Sequence, residues 1–185
     1  MELLRLTKVK DGKYLKNYEL TYLNKKGKEK TYEIVSRREL SSPEDLGQAA
    51  SGISIVATKE GKLLLLREFR MGINKQIYNL CAGMLEEGES IEDCIRRELY
   101  EETGLRLKSI TKILPASYSA VAISDLKTYI AFAEVEGEPE DTHTSANEDI
   151  RAAFYSKEEV EKLLQTEEFS SRAQMVAYFF TLQSL

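Results

Sequence analysis

A chain of 185 residues has room for one well-filled domain and a small appendage, not for two full-sized domains. Hydrophobic residues at 42% and charged residues at 31% describe ordinary globular chemistry and argue against a disordered chain. A net charge of −5 and the lack of any run near the roughly 18 apolar residues of a membrane span leave neither nucleic acid nor a bilayer as an expected partner.

Met1-Glu2-Leu3-Leu4-Arg5 has no basic segment followed by an apolar one, so no signal peptide is expected. Cys81 and Cys94 form no CxxC pair and fit reduced thiols in a cytoplasm rather than a disulfide or zinc framework. His143 is the only histidine, which excludes a His-rich metal site. Carboxylates are therefore expected to carry any catalysis.

In chain order, Tyr18, Leu20 and Tyr22 alternate with polar residues, and Thr31 to Ser36 is a second β-rich run. Asn24-Lys25-Lys26-Gly27 is the turn that makes them a hairpin. Ser41-Ser42-Pro43-Glu44-Asp45 breaks the pattern and divides a β-unit, residues 1–45, from a main domain, residues 46–185. Too small to bury much alone, the hairpin either packs on the main domain or pairs with a second copy of the chain.

Ile53 to Ala57, the turn Glu60-Gly61, and Leu63 to Leu66 read as an apolar hairpin. Ile77 to Leu80 is a shorter strand that runs into a Gly-containing loop. A helix follows over Ile91 to Thr103, with Ser90 as N-cap and Gly104 as its stop. Leu107 to Leu114, Thr128 to Val135 and Ile150 to Tyr155 read as strands. Helices Lys157 to Gln165, opened by the capping box Ser156-x-x-Glu159, and Arg172 to Leu182 close the chain. The expected fold is a mixed sheet flanked by helices, of α/β or α+β type.

On a wheel of about 100° per residue, Ile91, Cys94, Ile95 and Leu99 share one face of the first helix. Glu98 and Glu102 fall within roughly 20° of Ile91, inside that apolar stripe, with Glu101 at its edge. Buried like charges repel and lose solvation unless compensated. Three remedies are open: protonation of one carboxyl of the pair, a hard divalent cation, which prefers carboxylate and carbonyl oxygens, or a structural ion pair from Arg97. Ala82-Gly83, at the turn before the helix, would add a loop carbonyl to an oxygen-only cage.

Gly83 to Leu105, with Glu89, Arg97, Glu98, Leu99, Glu101, Glu102 and Gly104 at fixed offsets between, resembles the Nudix box G-x5-E-x7-R-E-U-x-E-E-x-G-U, where U is a bulky aliphatic. Every fixed position is met. The resemblance implies an α/β/α sandwich that hydrolyses nucleoside diphosphates linked to another moiety. It implies Glu98 and Glu102 as main ligands of Mg²⁺ or Mn²⁺, Glu101 as a further ligand or acid/base partner, and Ala82 as a carbonyl ligand. Arg97 and Glu89 would orient the glutamates by salt bridge.

Outside the box, Tyr32 to Arg38, Leu66-Arg67-Glu68-Phe69-Arg70 and Asn147-Glu148-Asp149-Ile150 resemble ADP-ribose pyrophosphatases and related nucleotide-sugar hydrolases. That branch implies a homodimer built through the N-terminal β-unit, with an active site shared across it. It makes Arg37, Arg38 and Arg70 candidates for diphosphate or terminal-ribose contacts, since guanidinium groups bind phosphate oxygens bidentately. The acidic stretch Glu136 to Asp149 reads as a loop, and such a loop delivers the catalytic base in that branch. Glu148 is the first choice, ahead of Asp149, with His143 also in the loop; the bland alternative is a solvated acidic surface.

The chain departs from the branch in three places. Asn79-Leu80-Cys81-Ala82-Gly83 stands where many members have Glu-Leu-Pro-Ala-Gly. A proline typical of ADP-ribose hydrolases is missing near Ser119-Ala120-Val121, and Leu126 follows Asp125 where an acidic residue is usual. These differences touch the substrate, not the reaction class. The rival expectations are a non-catalytic domain that senses a nucleotide sugar, and a hydrolase of other dinucleotides or of nucleoside triphosphates.

Overall fold

The computed structural model describes residues 1–140 and 147–182. His143 and the middle of the acidic segment lie outside the described residues. The chain clusters into two units: Met1–Ser51 with Ala116–Thr128, and Gly52–Pro115 with the chain from Tyr129 onward.

The first unit is an antiparallel sheet of β1 (Glu2–Asp11), β2 (Lys16–Leu23) and β3 (Glu29–Ser36), in the order β1-β2-β3. The hairpin expected from the sequence is β2–β3, with Tyr18 opposite Ile34 and Leu20 opposite Tyr32. Its turn is an Asx turn: the Asn24 side-chain oxygen accepts from the Lys26 and Lys28 N–H groups at 2.9 and 3.1 Å. Tyr18, Leu20, Ile34 and Leu40 form the core, and the Tyr18 hydroxyl accepts from the Leu40 N–H at 2.8 Å.

Strand β1 has no counterpart in the sequence reading. Register shifts at Leu3/Arg5 and Lys8/Lys10 break its period of two, and most of its residues are exposed, so no alternation marks it. The segment 116–128 also belongs to this unit, far along the chain from it. The Val35 N–H donates to the Ile123 carbonyl at 2.8 Å, and the Tyr32 hydroxyl donates to the Ala122 carbonyl at 2.5 Å.

The second unit is built on a seven-stranded sheet: β4 (Ala50–Lys59), β5 (Lys62–Arg70), β6 (Lys75–Asn79), β7 (Cys81–Met84), β8 (Arg106–Tyr118), β9 (Lys127–Glu136) and β10 (Ile150–Tyr155). The order is β10-β5-β4-β9-β8, with β6 added to β5 and β7 to β4. Three helices accompany it: α1 (Ile91–Thr103), α2 (Lys157–Thr166) and α3 (Ser171–Leu182). None of the described helices is long and apolar enough to cross a membrane.

Strand alternation in β5 assembles the layers. Leu64 and Leu66 pack with Cys94, Ile95 and Leu99 of α1, while Leu63 and Leu65 pack with Val160 of α2 and Ala173, Ala177 and Phe180 of α3. All four leucines are at most 1% exposed. Each stabilises the fold by about 1.5–3 kcal/mol relative to an exposed side chain. A run with no polar break therefore means a strand covered by helices on both faces, which is the α+β sandwich the sequence leads one to expect.

The caps are where the sequence places them. Ser90 Oγ accepts from the Asp93 N–H at 3.1 Å, and Gly104 ends α1 at φ 71°, its N–H bonded to the Tyr100 carbonyl. The Ser156–Glu159 capping box opens α2. A second element, after β1, differs from expectation: Cys81 to Met84, read as loop, is a short strand paired antiparallel with β4, Ser54 opposite Ala82 and Ile53 opposite Gly83. Ala and Gly carry almost no strand signal, so only the pairing reveals it.

Candidate active site

Strand β5 enters the α1-side core with Leu64 and Leu66, and the same face continues outward as Glu68 and Arg70. Helix α1 does likewise, with Ile95 and Leu99 in the core and Glu98, Glu101 and Glu102 around them. Both ends open into a cavity of about 620 Å³ within the second unit, walled also by Ala82 to Glu86 from β7 onward and by Asn147, Glu148 and Asp149 before β10.

Arg97 organises the helix carboxylates. Its Nε and Nη2 donate to the two oxygens of Glu89 at 2.8 and 2.9 Å. Its Nη1 donates to Glu98 at 2.8 Å and Glu101 at 3.1 Å, and Nη2 also reaches the Met84 carbonyl at 2.9 Å. The guanidinium beside it holds the Glu89 carboxyl down at about 2. Glu98 is buried, and burial raises its carboxyl despite the opposing pull of Arg97.

Glu102 lies on the inner side of this group. Its Oε2 accepts from the Ala82 N–H at 3.1 Å, which fastens the helix to β7. Burial pushes its carboxyl up to about 8, with the Cys81 thiol and the Ala82 N–H pulling down and the charges of Glu98 and Glu68 pushing up. Among the described residues no cation comes within salt-bridge distance of Glu102. Gly83 leaves room for this arrangement: a Cβ there would fall on the Glu98 carboxylate, which would have to swing aside.

These groups suit a hard cation by donor type, being carboxylate and carbonyl oxygens with more negative charge than Arg97 neutralises. As the side chains stand, Glu98 turns to Arg97 and Glu102 to Ala82. Among the described residues no three acidic, histidine or cysteine groups enclose a common point closely enough to hold an ion. By donor chemistry the set fits a divalent cation.

Of the residues singled out from the sequence, Arg70, Ala82, Arg97, Glu98, Glu101, Glu102 and Glu148 all line the cavity. Glu89 acts on it through Arg97. Asp149 lines it too, but its carboxylate accepts from Gln76 Nε2 at 2.7 Å and its carbonyl accepts from the Phe69 N–H at 2.9 Å. Arg37 and Arg38 belong to the first unit, where both are exposed; the cavity is lined by the second unit alone.

Glu68 was missed as a site residue. It is 6% exposed and receives the Asn79 Nδ2 at 2.6 Å, with Arg70 Nη1 at 3.6 Å. The signal was present: a carboxylate two residues beyond Leu66, in phase with the buried row.

The NUDIX domain model matches residues 46–179. The chain is 34% identical over 95 residues to the ADP-ribose pyrophosphatase of Bacillus subtilis (strain 168), covering 51% of each. It is 27% identical over 135 residues to the ADP-sugar pyrophosphatase of Mus musculus, covering 70% of this chain and 59% of that one. The chain thus spans between half and three fifths of these curated relatives. A crystal structure described as an ADP compounds hydrolase superposes with a TM-score of 0.75 over 97% of this chain and 91% of its own, at 20% identity, a likeness of fold alone. Since the family model covers well over half of the sequence, and its hallmark spacing folds here into the strand, loop and helix that wall the cavity, the chain belongs to the NUDIX domain family.

Proposed function

We propose that this chain is a pyrophosphohydrolase that cleaves the diphosphate of ADP-ribose or a nucleotide sugar, releasing a nucleoside monophosphate and a sugar phosphate. The observation that carries this reading is the gathering of Glu98, Glu101, Glu102 and Glu148 with Arg70 and Arg97 around one cavity. The names of the pyrophosphatase relatives support the same substrate class.

Glu98, Glu102 and the Ala82 carbonyl would hold Mg²⁺, or Mn²⁺ in its place, with Glu101 as a further ligand or acid/base partner. When bound, the cation supplies Lewis acidity toward the diphosphate oxygens. Arg97 and Glu89 keep the helix carboxylates aimed, because their bidentate pair leaves the guanidinium one orientation. Arg70 meets the diphosphate, and Arg37 and Arg38 are proposed for diphosphate or terminal-ribose contacts. Glu148 accepts the proton of the attacking water, since a carboxylate engaged with a cation is a poor base.

Residues 1–45 are proposed as a dimerisation unit and residues 46–185 as the hydrolase domain. The free, buried thiols of Cys81 and Cys94 support a reducing compartment such as the cytoplasm.

With ADP-ribose and Mg²⁺, chromatography should resolve AMP and ribose 5-phosphate, and EDTA should abolish their formation. Full activity in EDTA contradicts the cation's role. Binding of ADP-ribose without products would instead make the domain a sensor. Glu148→Gln should lower kcat roughly 10²- to 10⁴-fold with KM nearly unchanged. Asp149→Asn should do less, because Gln76 already engages that carboxylate. Wild-type turnover in Glu148→Gln would pass the base role to Glu101. Light scattering at micromolar concentration should give about twice the chain mass, as a C2 dimer requires. A monomer would contradict the dimerisation role of residues 1–45.

A further inference from the structure

Glu68 is a cavity carboxylate outside the helix and outside the acidic loop, and the roles proposed above leave it without one. Its side chain is 8% exposed, so the carboxylate has exchanged most of its water for protein neighbours. Three residues form a directed chain toward it. The Ala173 N–H donates to Ser170 Oγ at 3.3 Å, the Ser170 hydroxyl donates to Asn79 Oδ1 at 2.6 Å, and Asn79 Nδ2 donates to Glu68 Oε1 at 2.6 Å. The amide of Asn79 has one sense in this chain, since its oxygen takes the hydroxyl and its NH₂ faces the carboxylate. A carboxylate at position 79 would instead set two negative charges at hydrogen-bond distance.

The same Oε1 of Glu68 faces Arg70 Nη1 at 3.6 Å. Strand geometry sets this pair, because residues two apart in β5 share a face. The Arg70 side chain is 58% exposed, so little packing restrains a long, flexible group at the cavity wall. One contact with Glu68 leaves most of its five N–H donors for a ligand.

We propose that Glu68 is a positioning residue: held in place by Asn79 and Ser170, its charge orients the Arg70 guanidinium toward the substrate's diphosphate. The inference rests on the reading of Arg70 as a diphosphate contact. The carboxylate's charge is not required by the packing, since a glutamine at 68 would still offer Asn79 a carbonyl acceptor. What glutamine removes is the attraction for Arg70.

A double-mutant cycle with ADP-ribose and Mg²⁺ tests this. Glu68→Gln should raise KM about three- to fivefold, the scale of a part-exposed ion pair, with kcat changed less than about twofold and the melting temperature nearly kept. Arg70→Gln should raise KM at least as much, and the double variant should match Arg70→Gln alone, because the two residues act as a unit. Multiplying effects, or a fall in kcat at constant KM, would overturn the proposal. A second readout needs no substrate: the ¹⁵Nε–Hε signal of Arg70 should report a restrained side chain in the ligand-free wild type and a freely averaging one in Glu68→Gln. An unchanged signal overturns the coupling. A wild type that shows this difference but leaves ADP-ribose uncleaved would sink the hydrolase reading for that substrate and leave the coupling standing.

Discussion

The guanidinium of Arg97 meets Glu89, Glu98, Glu101 and the Met84 carbonyl at once, and the geometry of the cavity depends on that convergence. One planar cation with fixed donor directions ties the loop before α1, the helix itself and β7 into one frame. Without it, Glu98 would be a buried charge with no cationic partner, and losing one member of a buried pair costs about 3–5 kcal/mol. A lysine would not substitute, because a point charge cannot address Glu89 bidentately while reaching Glu98. Gly83 is the complementary constraint: only a residue with no Cβ lets the Glu98 carboxylate lie against β7.

That frame stands at the edge of a core shared by β5 and α1. Leu64 and Leu66 of the strand meet Ile95 and Leu99 of the helix, and each element leaves this contact carrying charge: Glu68 and Arg70 from one, Glu98, Glu101 and Glu102 from the other. The apolar contact fixes where the polar groups emerge. A close-packed interior resists small displacements, so the carboxylates inherit the precision of the leucines beneath them.

Much of this was legible in the sequence, for physical reasons. Helix α1 announces itself by Ser90, Gly104 and a 3.6-residue period, and Glu98 and Glu102 stand out because they violate its polarity. Leu63 to Leu66 admits a doubly covered strand. What escaped lacks a local signal. Strand β1 is bulged and exposed, and β7 is made of small residues whose pairing with β4 is long-range. The membership of 116–128 in the first unit is likewise a matter of distant hydrogen bonds. Glu68 escaped for a different reason: taken within Arg67 to Arg70 it looks like a solvated charge, and only its phase with Leu66 and the contact with Asn79 mark it as buried.

Either the two carboxylates in the apolar stripe of α1 exist to hold a divalent cation, or they only pair with Arg97 and Ala82. Electron paramagnetic resonance of Mn²⁺ titrated into the wild type, Glu98→Gln and Glu102→Gln, each confirmed folded by circular dichroism, separates these directly. The cation role predicts saturable binding by the wild type and a loss of affinity of roughly tenfold or more in each variant, at least the effect of removing a supporting group around a metal site. Equal Mn²⁺ affinity in all three proteins would contradict it and leave the glutamates as partners of Arg97 and Ala82 alone.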